Sequence, residues 1–589
     1  MIRSKKHLKA LALFLIIALG AVLRLHHLGF QSLWEDELYS GWASGFNELA
    51  HVIAIGVAPD IHPPGYQVFL HVIERWMGYS EVTLRLPSAI SGIFSIAGIF
   101  LLGRRLYSYN EGLIAAVLLA VLWFPIYYSQ EARSYAMLLL FTLITTFLWI
   151  TLLNSQKKNV LGLSVYVLAA IMTAYLHYYG LYLVLLQGVT TALLAICRDQ
   201  PAARRALPLY SLVALVYIPW LPGMWRQILF SERGDWIPHP QAIHTTLLTY
   251  LYHLFNKRWQ QAHAVAFTLV FTLGKHLYDT WKRNVSKQSN WSLPVSPTLF
   301  LTAWIVIPFV LVYALSVTWV PILTYRNLII LLPPVYILLA RAVATLTTHN
   351  GKLVAIFLIA TIFVHQIVGG DYYQTPSKTQ FREAAAFIAE QETVYQDSMI
   401  VGQFAYPFLL DHYLASNGTM QRVDLIIEKD RICLGQIYRE TNSLDLPVCP
   451  TVSGDFAYQL EAKALREPKK GSTLQSPARE PNAREFARLI DDRDPSFIWF
   501  VHGRGALAID PENLPGFELI GRRDFVGVNV YLLANRKQAS LTQPAPAPSK
   551  SNGAYVSSTC PSTSSISQLV WPHSTGEPSR AKKVTAATR

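Results

Sequence analysis

The chain is 589 residues long, yet charged residues make up only 15% of it, aromatic residues reach 12% and the mean hydropathy is +0.28. Soluble domains carry about 25% charged residues, so this composition excludes a string of ordinary soluble domains and indicates an integral membrane protein. The net charge of +13 raises nucleic acid as a partner, but its distribution removes the argument: residues 1–370 carry +13, residues 371–535 carry −6 and residues 536–589 carry +6. The positive charge lies in the apolar part and the tail while residues 371–535 are acidic, and no nucleic acid is expected.

Apolar runs able to cross about 30 Å of hydrocarbon occur at 8–25, 84–103, 111–128, 134–153, 159–177, 181–197, 206–223, 262–280, 298–319, 326–345 and 353–370. The run at 262–280 is the most polar, with His263, Lys275 and His276. The first run lacks an A-x-A-like cleavage site and reads as a retained span, not a signal peptide. With the N-terminus in the cytoplasm, eleven spans place 17 Lys/Arg of residues 1–370 on the cytoplasmic side and 9 on the other, as the positive-inside rule requires. The expected architecture is therefore a polytopic α-helical protein of the plasma (inner) membrane with about eleven transmembrane helices. Residues 26–83 form its first external loop, and everything after 370 is external.

Residues 371–535 read as an external soluble α/β domain. An amphipathic helix starts at Phe381, and strands are expected at 397–402, 497–501 and 525–533 from their β-branched and aromatic content. Cys433 and Cys449 fall in this domain, either as a disulfide or as two unpaired thiols. Residues 536–589, rich in Ser, Thr, Pro and Ala, are expected to be disordered.

The external loops carry the polar chemistry. Ser32-Leu-Trp-Glu-Asp-Glu-Leu-Tyr-Ser40 sets Glu35, Asp36 and Glu37 beside Trp34 and Tyr39 directly after a span, where a carboxylate is placed to act as a base on a hydroxyl. Pro59-Asp-Ile-His-Pro-Pro-Gly-Tyr66 holds Asp60 and His62 on a proline-stiffened segment, a pair suited to a divalent ion or to orienting a phosphate, although two residues are not a full ligand set. Tyr127-Tyr-Ser-Gln-Glu-Ala-Arg-Ser-Tyr135 brings Gln130, Glu131 and Arg133 to a membrane end. There they read either as an ion pair closing the hairpin or as a phosphate site. His177-Tyr-Tyr-Gly180 and Thr324-Tyr-Arg-Asn327 lie at further external ends, with Arg326 beside Tyr325 as the more suggestive cation.

In this order, Ser-Leu-Trp-x-Asp-Glu, His-Pro-Pro-x-Tyr, Leu-Arg-Leu-Pro-Ser (84–88), Tyr-Tyr-Ser-Gln-Glu-Ala-Arg-x-Tyr and His-Tyr-Tyr-Gly resemble the bacterial branch of the GT-C glycosyltransferases. The likeness is to the family 39 group of protein mannosyltransferase-like and aminoarabinose transferase-like enzymes, over about residues 10–380. The resemblance implies an inverting glycosyltransferase that takes a sugar from a polyprenyl-phosphate donor and passes it to a lipid, glycan or protein acceptor on the external face. It places the catalytic acids at Asp36, as base, and Glu37. Acceptor or metal positioning falls to Asp60 and His62, and the donor phosphate to Gln130, Glu131 and Arg133, which Arg326 and Tyr325 are expected to join from their own external setting. Trp34, Tyr66, His177 and Tyr178 are the expected pocket lining. The resemblance implies no fixed cofactor, with a divalent metal at Asp60 and His62 left open. The competing reading is a transporter or lipid flippase, which would place ionisable residues near the bilayer midplane and often carries inverted repeats; no repeat is evident here.

Overall fold

The computed structural model describes residues 2–58, 60–155, 160–230, 237–255, 258–282, 296–346, 364, 372–391, 394–395, 398–403, 413–414, 421–428, 431–435, 495–503, 510–537 and 569–570. The chain divides into two compact units between Ser377 and Lys378.

The first unit is helical. Helix α1 (Ile2–Leu25) leads into a long loop that holds α2 (Glu35–Ser44). A one-turn helix Leu49–His51 follows, continuing as a π-helical stretch Val52–Val57, and then α3 (Gly65–Met77). Helix α4 (Glu81–Leu106) starts where the Ser80 hydroxyl accepts the Thr83 N–H at 3.0 Å, with Glu81 in the first turn, an N-cap and dipole arrangement that fixes its start.

The next span is broken. Helices α5 (Tyr109–Val121) and α6 (Trp123–Ser129) meet at 60°. Pro125 explains the break: in a continuous helix its ring would collide with the carbonyl of Val121, where α5 ends. After the break it sits in the first turn of α6, where a missing N–H costs nothing.

There follow α7 (Tyr135–Leu153), α8 (Val160–Leu176) and α9 (Tyr178–Cys197). Helix α10 (Pro201–Tyr217) runs through a 3-10 turn into α11 (Leu221–Phe230). Then come α12 (Ile243–Leu254), α13 (Trp259–Lys282), α14 (Pro297–Thr318), and a 3-10 turn Asn327–Leu331 that enters α15 (Leu332–Ala344).

Ten of the eleven expected spans coincide with these helices. Seven runs among the described residues are long and apolar enough to cross a membrane unaided, and the α5–α6 pair makes an eighth. Helix α8 has the apolarity but only 17 residues, and α13 has the length, 24 residues, but not the apolarity of a span. The run at 353–370 lies outside the described residues apart from residue 364. Helices α4, α5, α7 and α15 supply the buried centre through Ile96, Ile99, Leu119, Leu138, Leu143 and Tyr336. The outer face of α1 instead exposes Leu8, Leu11, Phe14, Leu15 and Leu19, a surface for lipid tails rather than water.

The second unit contains α16 (Phe381–Gln391) and β1 (Ser398–Gln403), β2 (Gln421–Glu428), β3 (Arg431–Gly435), β4 (Phe497–His502), β5 (Phe517–Phe525), β6 (Val528–Asn535) and β7 (Leu569–Val570). They form one sheet in the order β3-β2-β1-β4-β6-β5-β7. Strand β1 runs parallel to β2 and β4, whereas β6 runs antiparallel to β4 and β5. Helix α16 packs its Phe387 against Trp499 and Phe525. Within the tail expected to be disordered, Leu569–Val570 pairs with Gly521 and Arg522 of β5 as an edge strand; the rest beyond Lys537 lies outside the described residues. Cys433 falls in β3, and Cys449 lies outside the described residues.

Candidate active site

Five connections at one end of the helical unit converge on Asp36. It occupies the first turn of α2 with Glu35 and Glu37, so three acids meet the positive end of the helix dipole. The two carboxylates that follow Glu35 in sequence part company. A residue step of about 100° along a helix turns Asp36 and Glu37 onto different faces.

Glu37 faces inward and is fully buried, as is Arg85 of α4. The Arg85 guanidinium grips it in a fork, with Nε to Oε1 and Nη2 to Oε2 both at 2.7 Å. Glu37 Oε1 also accepts the Ala132 N–H at 2.8 Å. The same Arg85 donates to the carbonyls of Leu28, Gln31 and Ser32 at 2.9, 2.7 and 3.0 Å. A carboxylate gripped on both oxygens in this way holds the loop in shape.

Asp36 faces the other way, towards two cations. Arg326, in the turn between α14 and α15, donates from Nη1 to Asp36 Oδ2 at 2.5 Å. Arg133, in the link between α6 and α7, lies 4.0 Å from the same oxygen and donates to Ser40 Oγ at 3.3 Å. Burial alone would raise the Asp36 pKa, but the Arg326 and Arg133 charges outweigh it and hold the carboxyl below its ordinary range. Asp36 is thus an ionised, half-buried carboxylate. Glu131 is buried, and its charge acts on Arg326.

Aromatic groups surround the pair. The Arg326 guanidinium lies 5.8 Å from the ring centres of both Trp34 and Tyr135, within cation–π range. Trp34 Nε1 and the Tyr135 hydroxyl are buried with no hydrogen-bond partner among the described residues. Tyr325, next to Arg326, is exposed and stacks on His253 of α12 at 3.8 Å. Tyr66 is buried in α3, and its burial pushes the phenol pKa up.

Asp60 and His62 meet each other, with His62 Nδ1 3.0 Å from Asp60 Oδ2. Burial works against the Asp60 charge, but His62 and then Arg133 lower its pKa below the ordinary value. His62 packs edge to face on His177 at 5.0 Å. Burial, reinforced by His62, Arg133 and Arg326, pushes the His177 pKa well below its ordinary value and keeps that ring neutral. Gly65 is what lets this loop approach α8, because a Cβ there would lie 2.5 Å from the Tyr175 carbonyl oxygen. Among the described residues no three His, Cys, Asp or Glu side chains are grouped to hold a metal ion. Asp60 and His62 engage one another instead.

Gln130 and Tyr178 have protein partners. The Gln130 amide donates to the carbonyls of Arg24 and His26 at 3.1 and 2.8 Å, and its oxygen accepts from the Tyr372 hydroxyl at 3.0 Å. These bonds tie the link to the end of α1. Tyr178 donates to Gln227 Oε1, and Gln227 in turn holds the carbonyls of Val57 and His62 at 2.8 and 3.1 Å. Tyr178 therefore supports the Asp60–His62 loop from behind.

Sequence reasoning missed Arg24, Arg85, Gln227 and the Tyr135 hydroxyl as parts of this assembly. The two arginines carried a signal. Each lies within or at the end of an apolar span, where an ionisable side chain is expensive and seldom idle.

Residues 61–225 match the family described as dolichyl-phosphate-mannose-protein mannosyltransferase. No curated protein matches the chain in sequence. Among solved structures, apo ArnT from Cupriavidus metallidurans is similar with a TM-score of 0.53 at 12% identity, covering 90% of this chain and 99% of that one. The same enzyme bound to undecaprenyl phosphate matches with a TM-score of 0.48 at 12% identity, covering 88% and 97%. The oligosaccharyltransferase of Archaeoglobus fulgidus, in complex with zinc and sulfate, matches with 0.48 at 13% identity, covering 84% and 68%. The likeness to ArnT over nearly all of both chains gives the fold, and the family match falls on the segment that runs from the Asp60–His62 loop to α11. The chain is thus similar to this mannosyltransferase family over residues 61–225 and shares the fold of ArnT over nearly its whole length.

Proposed function

We propose that this protein moves a sugar from a polyprenyl-phosphate carrier to a hydroxyl of an envelope acceptor, a lipid, polysaccharide or protein, on the external face of the plasma membrane. The observation that carries this reading is the placing of one ionised carboxylate, Asp36, between buried Arg133 and partly buried Arg326. Two further buried donors without hydrogen-bond partners among the described residues, Trp34 Nε1 and the Tyr135 hydroxyl, flank Arg326. A base and a convergent set of cations and N–H/O–H donors is what a single displacement at a sugar phosphate needs. The description of the matching family also names a lipid-phosphate-linked sugar.

In the reaction, the acceptor oxygen attacks the anomeric carbon while Asp36 takes the hydroxyl proton. The bond from that carbon to the phosphate oxygen breaks, its electron pair stays with the polyprenyl phosphate, and configuration inverts. Arg133 and Arg326 neutralise the charge that grows on the leaving phosphate. Tyr325 is placed beside them, and Asp60 and His62 orient the acceptor. Because the polyprenyl chain stays in the bilayer, the site belongs at a membrane end, and the charged cluster lies in links between spans rather than at mid-span. This placement disfavours a transporter, whose ionisable groups line the midplane.

Asp36→Asn keeps the shape and removes the base. Transfer is expected to fall by at least about a hundred-fold with membrane insertion unchanged, measured with a labelled polyprenyl-phosphate sugar in membranes from matched strains. An inserted Asp36→Asn protein with normal turnover would sink the assignment.

A further inference from the structure

Arg24 has no part in the chemistry just described, yet it is the most completely enclosed cation near the site. It lies in the last turn of α1 and is 0% exposed. Among the described residues its hydrogen bonds go to no carboxylate. Nη2 donates to the Leu119 carbonyl at 2.7 Å and Nη1 to the Ala120 and Gly20 carbonyls at 3.0 and 3.1 Å, while Nε donates to Ser129 Oγ at 3.2 Å.

The choice of partners is informative. Leu119 and Ala120 lie in the last turn of α5, and the break at Leu122 deprives such terminal carbonyls of their usual intrahelical donors. Inside a bilayer an unsatisfied carbonyl costs several kcal/mol, and no water is at hand to serve it. Ser129 is the last residue of α6. One guanidinium thus holds the near end of the first half-helix and the far end of the second, which a planar fork can do and a point charge cannot.

The link that follows returns the contact, since Gln130 donates to the carbonyls of Leu23, Arg24 and His26 at 3.4, 3.1 and 2.8 Å. The space was kept for this node. A Cβ on Gly92 of α4 would lie 2.0 Å from Ser129 Oγ and 2.9 Å from Arg24 Nε. Three residues beyond Gln130 stands Arg133, and between them the Ala132 N–H docks on Glu37.

We propose that Arg24 is a positioning residue. By clamping both halves of the broken span it fixes their 60° angle, and with it the Gln130–Arg133 link that sets Arg133 against Asp36. The catalytic consequence rests on the roles given to Asp36 and Arg133 under the proposed function; the clamp itself does not.

Arg24→Lys keeps the charge beside the carbonyls but loses the reach to Ser129. Ser129→Ala removes the same contact without touching the buried cation. Both are tested in the full-length protein in nanodiscs by amide hydrogen exchange and by binding of undecaprenyl phosphate. Each variant is expected to exchange several-fold faster in peptides covering 129–134 while peptides from α4 and α7 stay at wild-type levels. Arg24→Lys is expected to bind undecaprenyl phosphate about ten-fold more weakly, and combining it with Arg133→Gln should add nothing to the loss from Arg133→Gln alone, because both act through one contact.

Unchanged exchange at 129–134 in both variants, a uniform rise across all spans, or additive losses in the double variant would each overturn the proposal. If the wild-type protein does not bind undecaprenyl phosphate, the donor reading fails, while the exchange result still decides the clamp.

Discussion

Asp36 and Glu37 are adjacent acids with opposite fates, and the difference lies in what each meets. Asp36 has two arginines that approach from separate links and leave an oxygen facing the site. Glu37 has one arginine that takes both of its oxygens. The pH behaviour follows from the first arrangement. A base must be ionised, and the folded-state pKa of Asp36 lies below its ordinary value, so activity persists as pH falls and is lost only on passing through that lowered pKa. Removing a cation reverses the shift. Arg326→Ala is expected to move the acid limb of the pH–rate profile to higher pH, in addition to lowering turnover. A profile whose limb stays in place while its height drops would show that Arg326 does not act on Asp36.

At the scale of elements, the active end is assembled by cross-ties more than by helix packing. Arg85 and Glu37 bind α4, α2 and the α6–α7 link into one joint, with Arg85 also gathering three carbonyls of the 28–32 turn. Glu37→Ala leaves Arg85 buried without its counter-charge, a change that typically costs about 3–5 kcal/mol. A lowered thermal midpoint of the purified protein checks this. A midpoint equal to wild type, together with lost activity, would place Glu37 in the chemistry.

The spans themselves were legible as apolar runs. So were residues that gather around Asp36: Trp34, Arg133 and Arg326 all stand in links with a recognisable signature. The cross-ties were not legible. Arg24 and Arg85 read locally as flanking charges of a span, and Gln130 as part of a motif, because a partner about 50 or 100 positions away is invisible to periodicity. Strand β5, Phe517-Glu-Leu-Ile-Gly-Arg-Arg-Asp-Phe, was hidden for a different reason. Its charged residues look like a loop until β6 supplies the pairing.

Over the whole molecule, the sidedness inferred from Lys and Arg counts makes a prediction that a natural cysteine reports. Cys197 is a free, exposed thiol at the end of α9 opposite the His177 end. With the three other cysteines replaced by serine, Cys197 is expected to resist a membrane-impermeant maleimide in intact cells and to react once the membrane is opened. A cysteine placed at exposed Trp76, just before α4, should react without opening. The reverse pattern would turn the protein over and move the site to the cytoplasm.

Under the proposed function, the ion pair between Asp36 and Arg326 would also work as an interlock. While it stands, the base assigned under the proposed function is paired with one of the two arginines assigned to the donor's phosphate. A phosphate that binds Arg326 competes with Asp36 for it, and the carboxylate is released at the moment the sugar arrives. Without donor, the base is latched; with donor, it is armed in place. The expected kinetic order is donor before acceptor, read from product-inhibition patterns. Random order in the wild type would show that the pair is not a latch, and Arg326→Lys is expected to loosen the order before it abolishes transfer.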